Sequence, residues 1–311
     1  MPTLSLVNES ALFAAVLILG SLAGYFSERV GIVNIGIDGQ MICGGFFFAL
    51  FATIIYKYMG TTYDTEKTFI GPLLLAGVCT IPITMLFGFL TIKLKTNQTI
   101  AGTAINLLST GVFTFLTNTV GQQIDNKTTL TSEYSGLLRI GDGTTAIYIG
   151  SLLILAAVII IASGLYVMMK KTPFGLRLTA IGENPNAADA QGINVYKYQW
   201  IALSFSGFLA GLAGGIFVYS TQAGFRGSVN GAGFLALAIL IAGTWRIPLL
   251  ISVSICFAII TKTVSQVNAN IIPQEVGKLL PYLITLVAMV AFSKYSIAPK
   301  NLGMGFDKSK R

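Results

Sequence analysis

Residues 143–169 read GTTAIYIGSLLILAAVIIIASGLYVMM, 27 residues without a charge. The hydrocarbon core of a bilayer is about 30 Å thick and takes about 20 mostly apolar helical residues to cross, so this stretch predicts a membrane span. Outward from it, charge-free windows recur at 10–27, 39–56, 68–92, 96–124, 198–225, 227–245, 247–261 and 279–293. The last two are short, and Lys262 and Lys278 at their ends lengthen them by snorkelling. The expected fold is all-α: a polytopic membrane helix bundle of about nine spans, roughly eight to ten, forming a single transmembrane domain over 1–311.

Composition agrees. Of 311 residues, 54% are hydrophobic and 10% charged, against roughly 25% charged in a soluble domain, so a soluble enzyme is excluded. The chain has no His, which removes His-based zinc sites, Ser-His-Asp and Cys-His catalysis and His pH switching. Cys43, Cys79 and Cys256 lie in apolar runs without metal-ligand or redox spacing and are expected to be buried small side chains. No metal site is expected. The first basic residue is Arg29, so the opening apolar stretch is expected to be a retained span and not a cleaved leader.

Lys and Arg concentrate in cytoplasmic loops. With the 170–198 loop and the 294–311 tail placed inside, 13 of the 20 basic residues are cytoplasmic, and the N-terminus is outside. The net charge of +8 then follows from topology and calls for no nucleic-acid partner. Residues 122–142 form a polar, Thr- and Gly-rich external loop. The internal loop carries a two-turn helix with strong end signals: Asn184 as N-cap, Pro185 in the first position, Gly192 as the left-handed residue after the last turn. So short a helix must dock on something, and the small side chains of Ala187, Ala188 and Ala190 permit close approach.

This loop, GENPNAADAQGI, together with SERVGIVNIGIDGQM (27–41), NQTIAGTAINLLSTG (97–111) and GFRGSVNGAGFLALAILIAGTW (224–245), resembles the permease subunits of bacterial ABC importers for branched-chain amino acids, simple sugars and nucleosides, the nucleoside branch above all. The likeness runs from about residue 25 to the last span. It implies that 182–195 is a coupling helix docking on a cytoplasmic ATPase, with Gly182, Glu183, Asn184, Pro185, Ala188, Asp189 and Gly192 at the contact. It also implies a second permease subunit, identical or related, an external substrate-binding protein, and a bacterial cell-membrane location. No GxxxxGK[ST] phosphate loop occurs in the chain, so ATP and its Mg are expected on the partner ATPase, and the chain is expected to bind no cofactor and perform no catalysis.

Within the membrane, Asp38 lies about 13 Å beyond Arg29 and Asn106 about 16 Å beyond Lys95 if both stretches are helical, which places each near the midplane. An Asp there should face a cavity or a partner. The glycines of 31–39 invite a broken helix, whose freed backbone groups could line a path. GIVNIG (31–36) echoes GSVNGAG (227–233), as an inverted repeat would, with Asn34 and Asn230 equivalent. A nucleoside needs amide or carboxylate partners and aromatic faces. The candidates are Asn34, Asp38, Asn106, Asn230 and Phe47 in the run 46–48. A structural role remains open for each: a buried hydrogen bond for Asp38, helix-to-helix glue for Asn106. An ion-coupled secondary transporter using Asp38 at a broken helix is the alternative, and a sugar or branched-chain amino acid permease the alternative within the family.

Overall fold

The computed structural model describes residues 2–59, 69–125, 128–130, 139–140, 147–221, 224–267, 283, 287 and 298–306. In chain order the helices are α1 (Pro2–Glu28), α2 (Ile37–Met59), α3 (Ile70–Gly88, continued by a π-helical turn Phe89–Lys93), α4 (Gln98–Asp125), α5 (Ile149–Lys171), α6 (Pro173–Glu183), α7 (Pro185–Ala190), α8 (Val195–Thr221), α9 (Ala232–Ala242) and α10 (Ile247–Val267). Among the described residues, a two-residue antiparallel ribbon, β1 (Arg139–Ile140) with β2 (Ile147–Tyr148), departs from the helical pattern. Seven of the helices are long and apolar enough to cross a membrane.

Seven of the nine windows correspond to these seven helices, and the 279–293 window lies, apart from Leu283 and Val287, outside the described residues. The 227–245 window is not one continuous helix. It runs from the Leu130 side to the Glu28 and Arg29 side as an irregular approach followed by α9, whose 11 residues extend about 17 Å at 1.5 Å per residue, half the apolar core.

Burial separates an inner from an outer set. In the spanning windows of α1, α2 and α8, 83%, 78% and 78% of residues are buried, against 17% in α5. Close approach requires glycine here. A Cβ on Gly44 would overlap the backbone of Gly211, and one on Gly214 would overlap the Met41 carbonyl. The four-residue row Gly207, Gly211, Gly215 receives α3 through Thr84, Thr80 and Leu73. The outer helices instead present bare apolar side chains, such as Ile100, Leu107 and Phe115 on α4 and Ile160 on α5, all exposed. Lipid or another membrane chain suits these faces, because hydrocarbon is their natural solvent.

Candidate functional site: two half-helices meeting at Asp38

Between α1 and α2 the chain leaves the helix, so the depth estimate that assumed helix from Arg29 to Asp38 does not hold. The linker's backbone groups have no ladder and must find other partners inside the membrane. They do. Val30 O accepts from Gln199 Nε2 (3.3 Å), Val33 N donates to Gln98 Oε1 (2.7 Å), and Ile35 O accepts from Asn106 Nδ2 (2.9 Å). Asn106 Oδ1 in turn accepts from Gly39 N (2.8 Å), one of the orphan donors in the first turn of α2. Asn106 is therefore a remote cap holding both sides of the break from α4. Gly36 and Gly39 let α4 come this close: a Cβ on Gly39 would stand 2.9 Å from Asn106 Cα.

The second break precedes α9. Gly31 and Gly227, first residues of the two echoed motifs, share a left-handed φ of 83° and 82°, a conformation that favours glycine. In both cases a helix starts a few residues later, and the two N-termini face one another. Asp38, in the first turn of α2, accepts from Gly233 N of α9 at 2.9 Å. The carboxylate thus caps α9 across the junction and lies between the positive ends of two helix dipoles. No side chain of α9's own N-cap residue, Gly231, does this. A Cβ on Gly233 would collide with the Asp38 backbone.

The expected site residues divide accordingly. Asn34 is fully buried and pairs through both amide atoms with Gln40 (3.1 and 3.2 Å) and with Ser206 on α8 (3.2 Å). Asn34 and Asn106 both have their amides engaged within the chain and offer neither to a ligand in this structure. Phe47 is half-buried among Phe46, Phe51 and Phe113 at 5.4–6.1 Å between ring centroids. Asn230 is exposed, and so are Arg226 and Ser228, while Phe225, Gly227 and Val229 between them are buried. Exposed polar and buried residues thus alternate along this irregular segment, in which Gly227 and Asn230 take left-handed φ, and leave it one polar exposed face. Next to it, Thr114 Oγ1 of α4 donates to Gly227 O at 3.5 Å. The sequence reading missed Gln40, Gln98, Gln199, Ser206, Arg226 and Ser228. Gln98 lies in the polar run KTNQT and Gln199 in YKYQW, so nothing beside them in the sequence marked either amide.

At the far end of α9, Thr244 and Trp245 take left-handed φ values. Trp245 Nε1 donates to the buried Glu28 at 2.6 Å, and Arg29 donates to Trp245 O at 2.7 Å. This end also carries α6 and α7. Thr172 caps α6 and Pro173 opens it, a helix the sequence reading did not anticipate. Asn184 caps α7 by accepting from Ala187 N at 3.0 Å. Gly192 N donates to Asp189 O and Ile193 N to Ala188 O, closing α7 in a Schellman turn with Gly192 at φ 79°. Among the expected contact residues, Glu183, Asn184 and Gly192 are exposed and Asp189 half-exposed. Gly182, Pro185 and Ala188 are instead buried against their own chain, so they shape the loop and do not present a surface.

A family described as branched-chain amino acid transport system / permease component matches residues 6–289. The chain belongs to this permease family. Its relatives include the guanosine ABC transporter permease protein NupQ of Bacillus subtilis, 31% identical over 98% of this chain and 97% of that one. The nucleoside ABC transporter permease protein NupC of Lactococcus lactis is likewise 31% identical, with the same coverage. An uncharacterised Mycoplasma pneumoniae protein, the MG121 homologue, is 37% identical over 96% of this permease and 94% of its own length. The permease is thus a multi-pass cell-membrane subunit of an ABC transporter.

Proposed function

We propose that the permease is the translocation subunit of an ATP-driven importer of nucleosides. The observation that carries this reading is the alignment, nearly end to end, with two permeases named for guanosine and for nucleosides. Hydrolysis of ATP, with its Mg, takes place in partner ATPase subunits. A second permease subunit completes the path and an external binding protein delivers the solute, with the N-terminus outside and the 170–198 loop and 294–311 tail in the cytoplasm.

The solute passes by alternating access at the junction of α2 and α9. Asn34 and Asn106 position the first break. Asp38, Phe47 and Asn230, with Arg226 and Ser228 on the same polar face as Asn230, contact the solute. A carboxylate, a hydroxyl, an amide and a guanidinium suit ribose hydroxyls and a base edge, and a phenyl face suits stacking. The exposed rim of α7 meets the ATPase.

The test is reconstitution of the permease with its co-purifying subunits and side-by-side measurement of ATP-dependent uptake of guanosine, ribose and leucine. Preference for guanosine is expected. Preference for ribose or leucine assigns a sibling branch, and uptake without ATP that collapses with the proton gradient restores ion coupling.

A further inference from the structure

Residues 299–306 lie as a strap over the end of the molecule that carries α6 and α7. Two backbone N–H groups of the strap bond to other segments. Asn301 N donates to Gly182 O at 2.9 Å, and Gly303 N donates to Gly31 O at 3.0 Å. Gly182 stands two residues before Asn184, the cap of α7, and Gly31 opens the first break. The three pieces touch directly. A Cβ on Gly182 would overlap Arg29 O and approach Pro299 Cβ to 3.3 Å, and one on Gly31 would lie 3.1 Å from Asn301 O.

The strap ends in a buried anchor. Phe306 is 6% exposed, its ring 5.3 Å from that of Tyr196 in the first turn of α8, and Tyr196 Oη donates to its carbonyl at 3.4 Å. Beneath lies a small pocket lined by Ile32, Thr91, Gln98, Tyr196, Gln199 and Phe306. Gln98 and Gln199 are the amides that hold the linker, so the strap covers the place where the first break is pinned.

We propose that residues 299–306 are a transmission strap that ties the α7 loop to the first break, so that displacement of α7 is passed to the linker and the covered pocket opens. Three hydrogen bonds and one aromatic contact are few enough to break and re-form locally without unfolding the bundle. They join the segment proposed to meet the motor to the segment that ends at Asp38. The inference rests on the ATP-driven reading for its motor, and on the strap's contacts alone for its cover.

The test uses the full permease with its co-purifying subunits and an Ile32→Cys reporter, Ile32 being 2% exposed. Labelling by a water-soluble maleimide is read at residue 32 by peptide mass spectrometry, since Cys256 is also exposed. Phe306→Ala should raise the labelling rate at residue 32 about tenfold and lower guanosine carried per ATP hydrolysed about fivefold or more, with ATP hydrolysis maintained. Phe306→Leu keeps an apolar anchor and serves if the alanine variant does not assemble, with smaller shifts in the same direction. Unchanged labelling, or faster labelling with an unchanged ratio of transport to hydrolysis, overturns the proposal. If the parent assembly shows no ATP-dependent uptake, the importer reading fails separately, and the labelling result still decides whether the strap covers the linker.

Discussion

The two breaks begin alike and are held differently. Each opens on a glycine with a left-handed φ and leads into a helix whose N-terminus faces Asp38. The first is buried and pinned from two helices by three amides, Gln98 and Asn106 of α4 and Gln199 of α8. The second has an exposed polar face and is held by a backbone pair, a local turn and one carboxylate. Phe225 and Leu130 exchange backbone hydrogen bonds (2.8 and 3.3 Å), Asn230 N donates to Ser228 Oγ, and Asp38 supplies the cap. Two segments of similar sequence are thus a braced scaffold in one case and a lightly tethered arm in the other.

That contrast can be broken at the junction first. Gly233→Val forces a branched side chain into the Asp38 backbone and should cost more than about 4 kcal/mol. No monodisperse protein is expected on size exclusion after detergent extraction, and normal yield would show that the junction is looser than drawn. Asn106→Leu removes the double bond between α4 and the first break. Gly39 N–H and Ile35 C=O are left without partners, each at about 1–3 kcal/mol, and the melting temperature of the solubilised protein should fall by several degrees. An unchanged melting temperature would mean that water replaces the amide.

The paired glycines sharpen the comparison. Gly31→Ala imposes the left-handed strain of about 1–2 kcal/mol with its nearest neighbour, the Asn301 carbonyl, at 3.1 Å, whereas Gly227→Ala adds a collision with Thr114. Gly227→Ala should therefore melt lower than Gly31→Ala, and the reverse order would show that the strap is the stiffer neighbour. In the unmodified protein, amide hydrogens of 224–231 should exchange about tenfold faster than those of 30–36. Equal protection would make both segments scaffold. The smallest effect belongs to Thr114→Val, whose 3.5 Å bond is at the limit of hydrogen-bond distance and should contribute under about 1 kcal/mol.

The capped ends of α7 were legible because Asn, Pro and Gly act on their own backbone within a few residues. The break at 31–36 was legible for the same reason. For Asp38 a cavity or a partner was expected, but the partner it has, Gly233 N–H, is 195 residues away in the chain. Asn106 carried the same amide whether it read a solute or capped α2, and nothing adjacent in the sequence distinguished the two.

The sequence by itself determined that the chain lives in a bilayer, because charge-free stretches of span length admit no other solvent, and it determined the two ends of α7 and the interruption after α1, because caps and glycines are local chemistry. Only the tertiary structure decided that the 227–245 window is helical over 232–242 alone, that two N-termini share one carboxylate, and that residues 299–306 bind Gly31 and Gly182. Those outcomes depend on which backbone groups are left without a ladder and which distant side chain or strand reaches them. In a membrane, where water cannot serve, that pairing is obligatory, but it is made across the fold and not along the chain.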